Sequence, residues 1–482
     1  MKPNWRHKVL LLVGATTVGF VPGALSAATV PSKPNMRLVL SDDHSAPHVG
    51  CYGNGEIKTP NLDRFAAAGI RFDRAYVGCP QCVPSRATYM TGRSPIGIQM
   101  TRFSAPLPAE VVTFPELLRA KGYFTGICGR TFHLDGTTTS ASSVQAMHDK
   151  HGLRTFSKRV DFLRVSSQKA ALGEMRQFLD QATKGAPFFL WLNFNDPHRP
   201  LDEGAIPQPH DPARLTLPAH YPDTRLVRED FALYYDEISR MDGVFGAVLA
   251  ELEQRGLGTN TLVMFIGDNG ASQLRGKGTL YELGIHVPWL MRWPGVIKPG
   301  SASSSLISGE DLAPTLLEAA EVEAPKSMTG RSFLKLLRGE PFEPRKYVFS
   351  ERGAHSSALP NNSAAFDLGR CVVGTRYKLI YNALWQLPYA PVDFSKTAFW
   401  QELGELNASG KLPPELSRIY FSPTRPMFEL YDLQNDPADM SNLADKPELA
   451  AIEGELKDVL QEWMILERDY VPLPGGRKPT DR

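Results

Sequence analysis

Four short apolar runs, each ending in a polar cluster, constrain the fold of this chain more than any other feature. Met36–Leu40 stops at Ser41-Asp42-Asp43-His44, and Tyr123–Cys128 at Gly129-Arg130-Thr131-Phe132-His133. Phe188–Phe194 stops at Asn195-Asp196-Pro197-His198, and Thr261–Ile266 at Gly267-Asp268-Asn269-Gly270. Runs without polar alternation bury both faces of a strand, as in a mostly parallel sheet. Helical patterns separate them: Leu62–Ala68, Phe114–Lys121, and a stretch carrying Phe231, Tyr235, Ile238, Met241, Phe245, Val248 and Leu252 at spacings of three or four. The predicted fold class is α/β, a large, mostly parallel sheet sandwiched by helices. Ligands of such sheets bind beyond the carboxyl ends of the strands, so the four polar tips should converge on one site.

The rhythm changes near Arg338-Gly339-Glu340-Pro341. Tyr347–Ser350, Cys371–Gly374, Tyr377–Tyr381 and Phe428–Tyr431 read as short strands. Leu449, Ile452, Leu456, Val459, Leu460 and Trp463 mark a final amphipathic helix. We therefore expect a catalytic domain over 34–340 and a smaller α+β domain over 341–482 with an antiparallel sheet. Ser301–Ser305 reads as a surface loop.

Lys2, Arg6 and Lys8 precede an apolar run from Val9 to about Val21 and the small residues Ser26, Ala27 and Ala28. Residues 1–28 thus read as a signal peptide. The run is shorter than a membrane span, and no later segment reaches that length, so an exported mature protein without a transmembrane segment is expected. That means periplasmic or extracellular in a bacterium, lysosomal or secreted in a eukaryote. Asn361-Asn362-Ser363 and Asn407-Ala408-Ser409 would be glycosylated only on a eukaryotic route. With 53 Lys and Arg against 52 Asp and Glu, the chain has no field for nucleic acid, and an anionic substrate needs a local cluster of cations.

Asp42 and Asp43, side by side in a partly dry site, cannot both stay ionised without a cation between them. With Asp268 and Asn269 they form an all-oxygen set that favours Ca²⁺ or Mg²⁺ over zinc. Adjacent acids also simply end strands or cap helices. The five cysteines, Cys51, Cys79, Cys82, Cys128 and Cys371, leave one unpaired in an exported protein. Cys79-Pro80-Gln81-Cys82 also fits a redox C-x-x-C motif or a pair of buried structural thiols. Arg86, four residues after Cys82, shares a helix face with it if Pro84 lies in a first turn, and a helix N-terminus attracts anions.

Cys82-Val83-Pro84-Ser85-Arg86, followed by Ala87-Thr88-Tyr89-Met90-Thr91-Gly92-Arg93, resembles the signature of the type I sulfatases of the alkaline-phosphatase-like superfamily. The resemblance extends from Asn35 past Asp436 and includes Thr59-Pro60-Asn61-Leu62-Asp63 and Gly276-Lys277-Gly278-Thr279. It implies that a separate formylglycine-generating or anaerobic sulfatase-maturating enzyme oxidises Cys82 to formylglycine. Asp42, Asp43, Asp268, Asn269 and the modified Cys82 would then hold calcium, magnesium being the weaker choice, and Asn269 in place of His argues against a two-zinc phosphodiesterase. Arg86 would steady the formylglycine hydrate, Arg130 and Lys277 grip the sulfate, His133 remove a proton, and His198 with Lys277 protonate the leaving group. Arg130 stands where the family has lysine, which widens the cationic grip.

Asp196-Pro197-His198-Arg199 and the C-terminal strands look most like heparan N-sulfatase, whereas the Gly-x-x-Phe-His spacing resembles iduronate 2-sulfatase. The substrate implied is a sulfated glycan of the glycosaminoglycan type, with Asp196, Arg199 and His355 as sugar contacts. A phosphate or phosphonate monoesterase on the same scaffold is one alternative. A non-catalytic sulfoglycan-binding protein with an unmodified thiol or a Cys79–Cys82 disulfide is another. Cys82 is expected on a rim and not in the core.

Overall fold

The computed structural model describes residues 33–101, 107–130, 149–182, 185–355 and 361–474, with the isolated positions 1, 134 and 146. The stretch read as a signal peptide, apart from Met1, and His133 lie outside the described residues. In chain order the strands are β1 (Asn35–Ser41), β2 (Ile70–Phe72), β3 (Ala75–Tyr76), β4 (Phe124–Gly129), β5 (Phe162–Leu163), β6 (Phe188–Asn193), β7 (Thr261–Gly267), β8 (Trp289–Arg292), β9 (Ser301–Ser303) and β10 (Ile307–Ser308). β11 (Val348–Ala354), β12 (Phe366–Val373), β13 (Tyr377–Asn382) and β14 (Phe428–Asp432) follow.

The large sheet runs β5-β4-β6-β1-β7-β8-β2-β9, and β3 pairs with β10 separately. Every pair from β5 to β7 is parallel, while β8 runs antiparallel to both neighbours. The absence of polar alternation has the expected meaning. Met36, Leu38 and Leu40 join one core and Val39 the other; Phe189 and Trp191 face the first, Phe188, Leu190 and Leu192 the second. One core takes the Cys82–Thr91 and Leu312–Ala319 helices; the other takes Pro60–Ala67, Ala171–Gln181 and the long helix Arg225–Gln254. Together they form the α/β sandwich.

Register decides where the polar tips go. Leu40 and Gly129 both pair with Asn193, and Ser41 pairs with Gly267, so β4, β6, β1 and β7 end level with one another. Four neighbouring parallel strands at about 4.8 Å spacing thus present their successors along one short edge. Gly129 makes the turn out of β4: its φ is +84°, and a Cβ there would lie 2.0 Å from the Asn193 carbonyl oxygen.

β11–β14 form the expected antiparallel sheet, in chain order. The Ala450–Leu466 helix covers it through Leu456, Leu460 and Trp463 against Val372, Leu379 and Leu430. The Ser301–Ser305 expectation is corrected: Ser301–Ser303 is an edge strand in parallel register with Ile70–Phe72. A three-residue polar strand held by backbone bonds at a sheet edge carries no side-chain signal. No helix among the described residues is long and apolar enough to cross a membrane.

A buried ion network ties the small sheet to the segment that follows β7. Lys378 of β13 reaches Asp439 at 2.5 Å and Glu282 at 3.0 Å, and the Asp439 carboxylate accepts the Glu282 backbone N–H at 2.7 Å. The side chains of Lys378 and Asp439 are fully buried. Removing one partner of a buried pair leaves an uncompensated charge. We expect Asp439→Ala to cost about 3–5 kcal/mol in urea unfolding; a loss well under 1 kcal/mol would show that the network does not secure this junction.

Candidate active site

Asp42 and Asp43 leave the end of β1, Asp268 and Asn269 the end of β7, Arg130 the end of β4, and His198 the turn after β6. Cys82 is the first residue of the Cys82–Thr91 helix, every residue of which is buried, so Pro84 does fall in its first turn and Arg86 one turn on. Gly92, left-handed at φ +63°, ends the helix by donating to the Thr88 carbonyl.

Arg86 is the keystone. Its Nη2 lies 2.9 Å from Asp42 Oδ2 and 2.8 Å from Asp268 Oδ2, and its Nη1 donates to the Arg130 carbonyl at 3.1 Å. It therefore joins the ends of β1, β7 and β4 from the helix that carries Cys82. Burial disfavours the charged guanidinium, but Asp268 and Asp42 more than offset it and push its pKa up. Asp268 Oδ1 accepts the backbone N–H of Asp43 at 2.9 Å and of Asn269 at 2.7 Å, locking the two acid pairs together. The left-handed Asp43 (φ +63°) also presents its carbonyl to the Tyr234 hydroxyl at 2.8 Å.

Cys82 Sγ sits 3.4 Å from Asp42 Oδ1 and 3.9 Å from Asp43 Oδ1. Its side chain is fully buried, which corrects the expectation of a rim position: the cysteine is the floor of the cup. Burial, reinforced by Asp42, pushes its thiol well above the ordinary range, so an unmodified Cys82 is protonated at neutral pH and weakly nucleophilic. Burial also raises Asp43 to about 6 against the pull of Lys277, and raises Asp268 to about 7. Three crowded, dry carboxylates are what a cation would relieve.

Lys277 Nζ bridges Asp43 Oδ1 at 2.9 Å and Asp393 Oδ2 at 2.6 Å. On the other side Arg130 Nε is 3.3 Å from Asp42 Oδ2, and its Nη2 lies 3.2 Å from His198 Nε2. His198 Nδ1 meets the Arg199 carbonyl, which fixes a proton on Nδ1 and leaves Nε2 as the acceptor facing Arg130. Burial, then Lys277, lowers His198 to about 3, so the ring is neutral.

The donor set fits a hard divalent cation. Asn269 Oδ1 is buried with no hydrogen-bond partner. It stands beside Asp42, Asp43 and Asp268, an oxygen-rich group suited to calcium. One ligand atom each from Asp42, Asp43, Cys82 and His198 also lies within 4.8 Å of the others. His198 joins this set although sequence reasoning gave it only a proton-transfer role.

Two expected sugar contacts are committed elsewhere. Asp196 takes Arg240 at 2.8 Å through both carboxylate oxygens and Gln168 at 2.8 Å. Arg199 is paired with Asp230, donates to the Ser272 carbonyl at 2.9 Å, and lies over the Phe394 and Phe399 rings. A sugar touching either residue would have to displace these partners. His355 does face the site, its Nε2 3.4 Å from Asp393 Oδ1. Asp393 was missed in the sequence; its one local signal is a charge set between the buried apolar residues Val392 and Phe394.

An acidic cup backed by arginine and lysine around a buried cysteine defines a class of site: one with the donors to hold a metal ion and the cations to meet an anionic group. The chain belongs to the sulfatase family, whose profile matches residues 34–322, more than half of its length. The profile described as N-sulphoglucosamine sulphohydrolase, C-terminal, matches residues 270–387. An ulvan-active sulfatase of Formosa agariphila is 29% identical over 472 residues, spanning 92% of this chain and 77% of its own. Human N-sulphoglucosamine sulphohydrolase is 28% identical over 488 residues, spanning 92% and 93%. Among solved structures, a complex with its substrate D-glucosamine-2-N,6-O-disulfate superposes with a TM-score of 0.67 at 20% identity, over 91% of this chain and 99% of that one. The phosphonate monoester hydrolase of Agrobacterium radiobacter gives 0.68 at 20% identity, over 90% and 96%. At these identities the solved structures bear on the fold alone.

Arg86→Ala would leave Asp42 and Asp268 buried without their shared cation. We expect a loss of about 3–5 kcal/mol in denaturant unfolding of the metal-free protein; unchanged stability would show that Arg86 does not hold the strand ends together.

Proposed function

We propose that the protein is a calcium-dependent, formylglycine-bearing sulfatase that removes sulfate from a sulfated glycan of the glycosaminoglycan type, with N-sulfoglucosamine as the first choice of sugar. The observation that carries this is the position of Cys82, at the floor of a cup with metal-fitting oxygens on one side and cations on the other. A buried protonated thiol has little use there, which supports conversion of Cys82 by a separate maturating enzyme. Formylglycine, once formed, supplies a hydrated aldehyde whose oxygen attacks sulfur and whose collapse expels sulfate.

The chain's own residues do the rest. Asp42, Asp43, Asp268 and Asn269 would hold the cation, and Arg86 fixes two of those carboxylates in place. Arg130, 3.3 Å from Asp42, and Lys277, 2.9 Å from Asp43, both border the cup and would grip an anionic group there. Lys277, kept charged by Asp43 despite burial, would stabilise negative charge on the leaving atom. The resemblance assigns removal of the hydrate proton to His133 and protonation of the leaving group to His198 with Lys277; His198 is neutral here.

Charge favours sulfate over phosphate. Asp42, Asp43, Asp268 and Asp393 face Arg86, Arg130 and Lys277. A divalent cation would leave this group one charge positive. A singly charged sulfate ester neutralises it; a doubly charged phosphate monoester overshoots.

The glycan reading rests on the named relatives and on the match over 270–387. The floor side chains are fully buried, while Arg130, His198, Asp393 and His355 are 10–26% exposed and form the rim that a substrate would meet. Residues 34–340 would supply the chemistry and 341–482 one wall of the mouth. The leader points to export.

Turnover of 4-nitrophenyl sulfate, 4-nitrophenyl phosphate, glucosamine N-sulfate, glucosamine 6-sulfate and iduronate 2-sulfate tests the proposal. Sulfate should outpace phosphate, and faster phosphate turnover would reverse the assignment. Cys82→Ala should abolish turnover with little change in melting temperature. Asp268→Ala should lower calcium content and cut activity about 100-fold; calcium content equal to wild type would show the ligand set to be wrong.

A further inference from the structure

The mouth of the site contains one charge that the shared reaction does not explain. Asp393 lies outside the residues matched by either family profile, 34–322 and 270–387. Its side chain is 26% exposed, whereas those of Asp42, Asp43 and Asp268 are fully buried. It also stands 3.8 Å from His198 Nε2, on the side of the cup that holds Lys277.

The mount is rigid. Asp393 is left-handed at φ +68°, a conformation with a cost for a residue other than glycine. Val392 and Phe394 on either side are buried, and Phe394 stacks on Phe399 with centroids 5.5 Å apart. Arg199, next in chain to His198, lies over both rings, so the segment carrying Asp393 is locked to the wall carrying His198. On the facing side Gly278, at φ +79°, allows close approach: a Cβ there would lie 2.4 Å from Val392 Cγ2.

The two carboxylate oxygens are engaged differently. Oδ2 is taken by Lys277 at 2.6 Å; Oδ1 has His355 Nε2 at 3.4 Å, a long contact that leaves lone-pair capacity. A carboxylate beside an incoming anionic ester repels it unless the ligand brings hydrogen-bond donors. A sugar does: ring carbons near the sulfated position bear hydroxyls.

We propose that Asp393, with His355, is the specificity-determining pair of this sulfatase, its Oδ1 accepting a hydrogen bond from a sugar hydroxyl close to the sulfated position. A charged acceptor at the mouth discriminates against a ligand lacking the donor, because the hydrogen bond to that acceptor is then lost. The inference rests on the sulfatase reading above and goes beyond it by naming what the mouth reads.

The test is an enzyme-by-substrate cycle. Wild type, Asp393→Asn and His355→Gln are assayed with the best monosaccharide of the panel above, with two analogues that each lack one of the hydroxyls nearest the sulfated position, and with 4-nitrophenyl sulfate. For one analogue, wild type should lose about 10- to 100-fold in kcat/KM, and Asp393→Asn should lose as much on the parent sugar but little more on that analogue. His355→Gln should show the same non-additivity more weakly. Losses of equal size on parent and both analogues would overturn the proposal, since Asp393 would then act only through Lys277. A wild type that hydrolyses no sulfate ester at all, 4-nitrophenyl sulfate included, would overturn the functional reading beneath it.

Discussion

The contact on which the site depends is the Arg86 guanidinium between Asp42 and Asp268. These carboxylates come from adjacent parallel strands, and at that separation in a dry interior they repel one another. Arg86 turns the repulsion into a joint, and because it rides on the same helix as Cys82 it also sets the cysteine against the acids. The backbone N–H groups of Asp43 and Asn269, both donating to Asp268, add a second lock. A cation-binding cup can thus persist with its acids close together, which is the arrangement that makes a divalent ion favourable there.

This joint explains why the chemistry sits at strand ends and not in a loop. β4, β6, β1 and β7 end level, and their successors need travel only a residue or a few to meet. The helix N-terminus bearing Cys82 approaches the same edge from one face of the sheet. Residues from the far end of the chain, Asp393 and His355, then close the mouth. The division is physical: the acids joined by Arg86 are fully buried, whereas Asp393 and His355 are partly exposed.

Much of this was legible in the sequence. Runs such as Met36–Leu40 and Phe188–Phe194 carry no alternation because each strand feeds two cores, and their polar stops mark the carboxyl ends directly. Asp42, Asp43, Arg130, Asp268 and Asn269 meet because each directly follows a strand. Asp196 and Arg199 follow the same logic but turn inward, because the long helix offers Arg240 and Asp230 as partners that strand-end reasoning does not see. Asp393 had no motif to announce it: its contact with Lys277 joins residues more than a hundred positions apart through a loop. Ser301–Ser303 was hidden for another reason, since its pairing uses backbone alone.

The central claim is that Cys82 exists in the active protein as an aldehyde. Trypsin releases it in the peptide Ala75–Arg86, which also contains Cys79 and so carries its own thiol control. After alkylation, mass spectrometry of protein purified from its own host should give a peptide with one alkylated thiol, at Cys79, and formylglycine at Cys82. Alkylation of both cysteines, or a disulfide between them, in protein that still hydrolyses sulfate esters would contradict the account.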